Sequence, residues 1–161
     1  MFSLTKKTDY ALLALCCLAQ EPDGQALNTK VIAERYRIPP ELLAKILQQM
    51  VRKGLVTSSS GPTGGYRLAV DPRKLSVADV MNAVDGRPAL VQCFKSGRDA
   101  CHQFDTCTIR NPMGLVQRRM ARVLGETTLM DLVLSTTDTH QVGPVGSFPG
   151  RDRPLAAARK P

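Results

Sequence analysis

A mainly α-helical fold with one small β-hairpin is predicted by three observations. Apolar residues recur at intervals of three and four in several stretches between residues 4 and 134. Capping residues, prolines and glycines mark where those stretches begin and end. One pair of short β-prone runs flanks the glycine-rich turn at 60–65. With 43% hydrophobic and 22% charged residues in 161, the chain has the composition of a folded domain, or of one small domain plus an accessory segment.

The first helix is predicted over 4–20, with Leu4, Ala11, Leu12, Leu15, Leu18 and Ala19 on one side, ending before Glu21-Pro22-Asp23-Gly24. Asn28 is the N-cap of a short helix through Tyr36, with Val31, Ile32 and Tyr36 inward. After the tight Arg37-Ile38-Pro39 connection, proline opens a helix over 40–53, where its missing N–H costs least. That helix buries Leu42, Leu43, Ile46, Leu47 and Met50 and stops at Gly54. Strands follow near 55–59 and 66–70, joined by Ser60-Gly61-Pro62-Thr63-Gly64-Gly65.

Helix, short helix, turn, helix and hairpin make a winged helix-turn-helix DNA-binding domain over 1–75. The open face of the 40–53 helix carries Glu41, Lys45, Gln48, Gln49 and Arg52, whose donors suit phosphates and base edges. The wing offers Thr63, Gly64, Gly65, Tyr66 and Arg67, and its paired glycines let the backbone approach phosphates closely.

Downstream, Ser76 with Asp79 forms a capping box for a helix over 77–84, whose buried stripe is Val77, Val80, Met81 and Val84. Asp85-Gly86-Arg87-Pro88 ends it, and a loop of some twenty residues leads to a long helix over 112–125. Met113, Val116, Met120, Val123 and Leu124 give that helix an apolar stripe with little of its own chain to bury against, so a dimerisation helix is expected. Thr127 or Thr128 caps a last helix, Leu129 to Leu134. The second unit is therefore 76–140, and 141–161, rich in Gly and Pro, reads as a disordered basic tail.

Net charge is +8 and unevenly placed. Residues 1–75 hold eleven Lys/Arg against six Asp/Glu, 76–140 seven against seven, and 141–161 four against one. A nucleic-acid surface therefore belongs in the first half. No apolar run reaches the roughly 20 residues that span a bilayer, and the N-terminus lacks a secretory h-region, so a cytoplasmic protein is expected. No paired acid/base motif or phosphate-binding glycine loop between strand and helix points to an enzyme.

Three of five cysteines, Cys93, Cys101 and Cys107, lie within fifteen residues of the long loop, spaced C-x7-C-x5-C. Loops of that length are usually functional or disordered. Cys16 and Cys17, in the first helix, read as structural thiols. The loop thiols suit an iron–sulfur cluster, whose ligands span several metal atoms. They also suit zinc with His102 as fourth ligand, or a thiol–disulfide switch.

The segment Leu4-Thr5-Lys6-Lys7-Thr8-Asp9-Tyr10-Ala11-Leu12, the wing Gly61-Pro62-Thr63-Gly64-Gly65-Tyr66-Arg67-Leu68 and the cysteine loop together resemble the Rrf-two family, bacterial iron–sulfur transcription regulators of the IscR, NsrR and RirA types. The resemblance covers about 1–135. It implies a homodimeric winged-helix regulator with a 2Fe-2S or 4Fe-4S cluster on Cys93, Cys101 and Cys107 setting DNA affinity; a two-fold dimer suits a palindromic double-stranded operator, and a repressor is expected. Arg110 stands where IscR-type proteins carry a ligating histidine, and Ser60 where they carry an arginine. The wide first interval is closer to RirA-type sensors. The Thr8-Asp9-Tyr10 segment is closer to NsrR-type sensors, whose aspartate ligates the partner's cluster, which makes Asp9 the candidate fourth ligand. An acid in a helix's first turn is also favoured by the dipole alone.

Overall fold

A computed structural model of the protein describes residues 4–61 and 64–136. The expected tail, 141–161, and Thr63 of the wing lie outside the described residues. Seven helices are seen among them: α1 (Lys6–Ala19), α2 (Thr29–Tyr36), α3 (Pro40–Arg52), α4 (Val77–Val84), α5 (Gln92–Ser96), α6 (Arg110–Glu126) and α7 (Leu129–Thr136). Strands β1 (Val56–Ser59) and β2 (Gly65–Leu68) pair antiparallel, with Val56 opposite Leu68 and Ser59 opposite Gly65.

Local chemistry explains the boundaries. Thr5 caps α1 by accepting the Thr8 N–H at 3.2 Å, so the helix starts two residues after Leu4. Asn28 accepts the Lys30 N–H at 2.9 Å and sets the phase of α2. In that phase Ile32 and Ala33 are buried and Tyr36 packs against the core, while Val31, one step round the helix, is 44% exposed. Its expected inward orientation is thus corrected: the core-facing side of this short helix is taken by Ile32, Ala33 and Tyr36. Arg37 takes a left-handed φ of 53°, and the Ile38 N–H then reaches the Ala33 carbonyl at 2.9 Å, which turns Ile38 into the core.

Pro40 opens α3, whose Leu43, Ile46, Leu47 and Met50 are buried, with Leu42 half-buried at their flank. Gly54, at φ 72°, ends it and lets the Leu55 N–H bond the Met50 carbonyl at 3.0 Å. The hairpin that follows is joined by Leu27, which exchanges two backbone hydrogen bonds with Tyr66, at 2.8 and 2.9 Å.

The Ser76–Asp79 capping box of α4 is present, and Thr128 with Asp131 repeats it at α7. The two helix starts lie side by side, stitched by Val77 N–H to Thr127 O at 2.9 Å and Leu129 N–H to Leu75 O at 2.7 Å. Through this stitch Leu75, Val80, Val84 and Leu129 enter the same buried cluster as α1, α2, α3 and Val56. One core thus spans the chain across residue 75.

The segment expected as plain loop contains α5 and a 3-10 turn, Arg98–Ala100. α6, by contrast, buries no residue completely. Leu115, Val116 and Val123 on it are 46%, 47% and 62% exposed. Gln117 fixes its base to the chain by accepting the Leu90 N–H at 2.9 Å and donating to the Pro88 carbonyl at 2.8 Å.

Candidate nucleic-acid interface and cysteine segment

Opposite the buried row of α3, Glu41, Lys45, Gln48 and Arg52 are exposed at steps of four, three and four, one continuous face. Gln49 departs from the expected set. Its side-chain amide donates to the carbonyls of Ala83 at 2.8 Å and Val84 at 2.9 Å. The last carbonyls of a helix have no intrahelical donor, and Gln49 supplies one from the neighbouring helix. It faces α4, not the open side.

In the wing, Arg67 is exposed, whereas Tyr66 packs against the core cluster. The glycines have an internal reason to be glycine. A Cβ at Gly64 would stand 2.4 Å from the Ser59 carbonyl oxygen, and one at Gly65 2.4 Å from that of Leu27. Their missing side chains let the turn close and β2 meet the strand-like residue before α2.

The cysteine segment is folded. Cys93 sits in α5, Cys101 follows the 3-10 turn, and Cys107 precedes α6; all three are free thiols and half-buried. Between the last two, Phe104 is the hub. The Arg110 guanidinium lies 4.3 Å from its ring centre and donates to its carbonyl at 3.2 Å. Arg98 approaches the same ring at 6.0 Å and pairs with Asp105 at 2.7 Å. Arg110 therefore clasps the Phe104 turn that lies between Cys101 and Cys107. His102 is exposed. Among the described residues no three His, Cys, Asp or Glu side chains gather closely enough to hold one metal ion.

Asp9 is half-buried in the first turn of α1. That turn is tied to the end of α4, because Thr5 and Thr8 both donate their hydroxyls to one oxygen of Asp85, Thr8 at 2.6 Å. A cavity of about 270 Å³ opens here, lined by Thr8, Met81, Asp85, Arg87 and Lys95 among others. The α1 cysteines are built differently. Cys17 is fully buried with the Arg35 guanidinium 2.9 Å from its sulfur, and burial pushes the Cys16 thiol up to about 11. Sequence reasoning missed Asp85 and Gln117, whose partners are distant in sequence, and Phe104, whose arginine partners lie six residues to either side in a segment with no helical period.

Residues 4–135 match the Rrf2 family, iron-dependent transcriptional regulator. The chain belongs to the Rrf2 family. It is 32% identical over 135 residues to the HTH-type transcriptional regulator NsrR of Bacillus subtilis (strain 168), covering 84% of this chain and 92% of that protein. The NsrR of Shouchella clausii (strain KSM-K16) is 30% identical, with 84% and 91% covered. Among solved structures, IscR of T. potens superposes with a TM-score of 0.68 at 25% identity, over 88% of this chain and 93% of that one. CymR, the global cysteine regulator of B. subtilis, superposes at 0.69 and 23% identity, over 84% and 98%, and shows the shared fold. The chain is accordingly a DNA-binding transcriptional regulator of the Rrf2 family with a winged helix, not an enzyme. No described helix is long and apolar enough to cross a membrane.

Proposed function

We propose that this Rrf2 regulator is a cytoplasmic homodimeric repressor whose affinity for a palindromic operator is set by an iron–sulfur cluster on Cys93, Cys101 and Cys107. Asp9 is the fourth ligand, contributed across the dimer, and the signal is iron, nitric oxide or redox state. The observation that carries this reading is the placement of three free, half-buried thiols on one folded segment between α4, which packs on the DNA-binding core, and the open apolar face of α6.

The donor set suits the group. Thiolates are its usual ligands, it bridges wider gaps than one metal ion does, and it accepts a non-cysteine ligand. When bound, either 2Fe-2S or 4Fe-4S supplies a centre that iron supply, oxidants and nitric oxide can alter. The chain's own residues do the rest. Arg110 and Phe104 keep Cys101 and Cys107 on one compact turn. Leu115, Val116 and Val123, each about half exposed in one chain, meet a second copy, where covering their remaining apolar surface is worth roughly 25 cal/mol per Å². A two-fold dimer places two α3 helices in successive major grooves, with Glu41, Lys45, Gln48 and Arg52 toward base edges and phosphates. Arg67 reaches the backbone beside them, and Gly64 and Gly65 keep that turn slim.

Anaerobic purification with iron, sulfide and zinc analysis tests the reading. Coloured protein containing iron and sulfide, lost on substitution of any one of the three cysteines, supports it. Colourless protein with stoichiometric zinc would mark a zinc-stabilised DNA-binding module instead. Metal-free protein whose DNA affinity follows a disulfide would mark a thiol switch.

A further inference from the structure

Gln49 lies on the recognition helix, yet it is half-buried and its side-chain amide is turned toward α4. Both protons of its amide are directed to the last two carbonyls of α4, at 2.8 and 2.9 Å. The next residue in the chain, Asp85, uses one carboxylate oxygen to accept the hydroxyls of Thr5 and Thr8 at the start of α1. Thr8 is 1% exposed, and its hydroxyl has this carboxylate as its acceptor. Asp85 is itself held to α4 by its N–H on the Met81 carbonyl at 2.9 Å. Three consecutive residues, 83–85, thus receive the recognition helix on one side and the Asp9 turn on the other.

We infer that Gln49, Asp85 and Thr8 are positioning residues that join the first turn of α1, and with it Asp9, to the recognition helix through the C-terminal turn of α4. The inference rests on the proposed role of Asp9 only for its signal; the mechanical link stands on the hydrogen bonds. Side-chain bonds to helix-terminal carbonyls are directional and part-buried, so a shift of the α1 turn carries residues 83–85 with it. Gln49 then passes that shift to α3. The alternative ways of tying α3 to α4, through apolar contacts alone, would tolerate sliding.

The test uses four full-length chains: wild type, Thr8→Val, Thr8→Ser and Gln49→Leu, with a DNA duplex selected from a random pool by the wild type. Hydrogen exchange of the amides at residues 8–10 is measured in iron-free protein, without DNA and with the duplex at saturation. In the wild type and Thr8→Ser, which keeps the hydroxyl, duplex slows that exchange by about fivefold or more, the lower range of coupling between sites. In Thr8→Val and Gln49→Leu the duplex leaves it unchanged. A wild type that does not respond, or valine and leucine variants that respond as the wild type does, overturns the inference. A second reading compares the ratio of duplex affinities, iron-loaded over iron-free, in Gln49→Leu and in the wild type, the two loaded proteins holding equal iron and sulfide. The ratio falls toward one if the link carries the signal, and a ratio equal to that of the wild type counts against it. If the wild type takes up no iron, the cluster reading fails, while the exchange experiment still decides the link.

Discussion

Gly65 and Leu27 approach so closely that a side chain at 65 would place its first carbon 2.4 Å from the Leu27 carbonyl oxygen and 2.5 Å from its carbon. Both obstacles are backbone, held by the paired Leu27–Tyr66 hydrogen bonds. The glycine is thus what lets the wing lean on the segment that leads into α2.

Gly65→Ala should therefore destabilise the chain by about 1–3 kcal/mol, the usual cost of forcing atoms into a filled site. Gly125, in α6 with nothing within 4 Å of an added Cβ, is the control. Gly125→Ala should leave stability equal or raise it by up to about 1 kcal/mol, because alanine is the better helix former. Denaturant unfolding of the two variants checks both signs.

The clasp around Phe104 makes a separate prediction. Arg110→Ala removes a stacked guanidinium and a hydrogen bond to the Phe104 carbonyl, and should raise amide exchange across 101–109 without changing the core's exchange. Arg110→Lys restores the charge but not the planar stacking, so only partial protection should return.

Along α3, Lys45→Ala and Arg52→Ala should weaken DNA binding and each lower the slope of log affinity against log salt by about one. Gln49→Leu should leave that slope unchanged, because its amide is turned to Ala83 and Val84. Equilibrium binding over a salt series reads both.

The α7 cap carries a pH dependence. The Thr128 N–H, and then its hydroxyl, hold the Asp131 carboxyl below its ordinary value. The folded state thus favours the ionised form, so this stabilisation is present above the ordinary aspartate range near pH ~4 and fades as pH falls through the lower folded value. Asp131→Asn should be less stable than the wild type near neutral pH, and the gap should close on acidification. A gap that widens toward acid would contradict the assignment.

Elements announced by short-range chemistry were legible in the sequence. Asn28, Pro40, Ser76 with Asp79, and Thr128 act within a few residues of themselves, and the helices they open lie within two residues of expectation. The buried row of α3 was legible for the same reason, its period being that of the helix. What the sequence hid were partners brought in from afar. Gln49 has the chemistry of a base reader and the position of one, and only the arrival of residues 83 and 84 turns it inward. Gly64 and Gly65, read from the sequence as letting the wing approach phosphates, also have a reason inside the fold, because the backbones of Ser59 and Leu27 leave no room for a Cβ. α5 spans five residues, too few for any period to show.

The central claim, that the three loop thiols set DNA affinity through an iron–sulfur cluster, is tested most directly by one titration. Anaerobically purified protein is bound to its selected duplex at fixed ionic strength, before and after its iron is removed by chelation. The account predicts iron and sulfide in the starting protein and affinities that differ by about tenfold or more, with Cys93→Ala, Cys101→Ala and Cys107→Ala each fixed at the iron-free value. Equal affinities before and after chelation, in protein shown to have carried iron and sulfide, would contradict it.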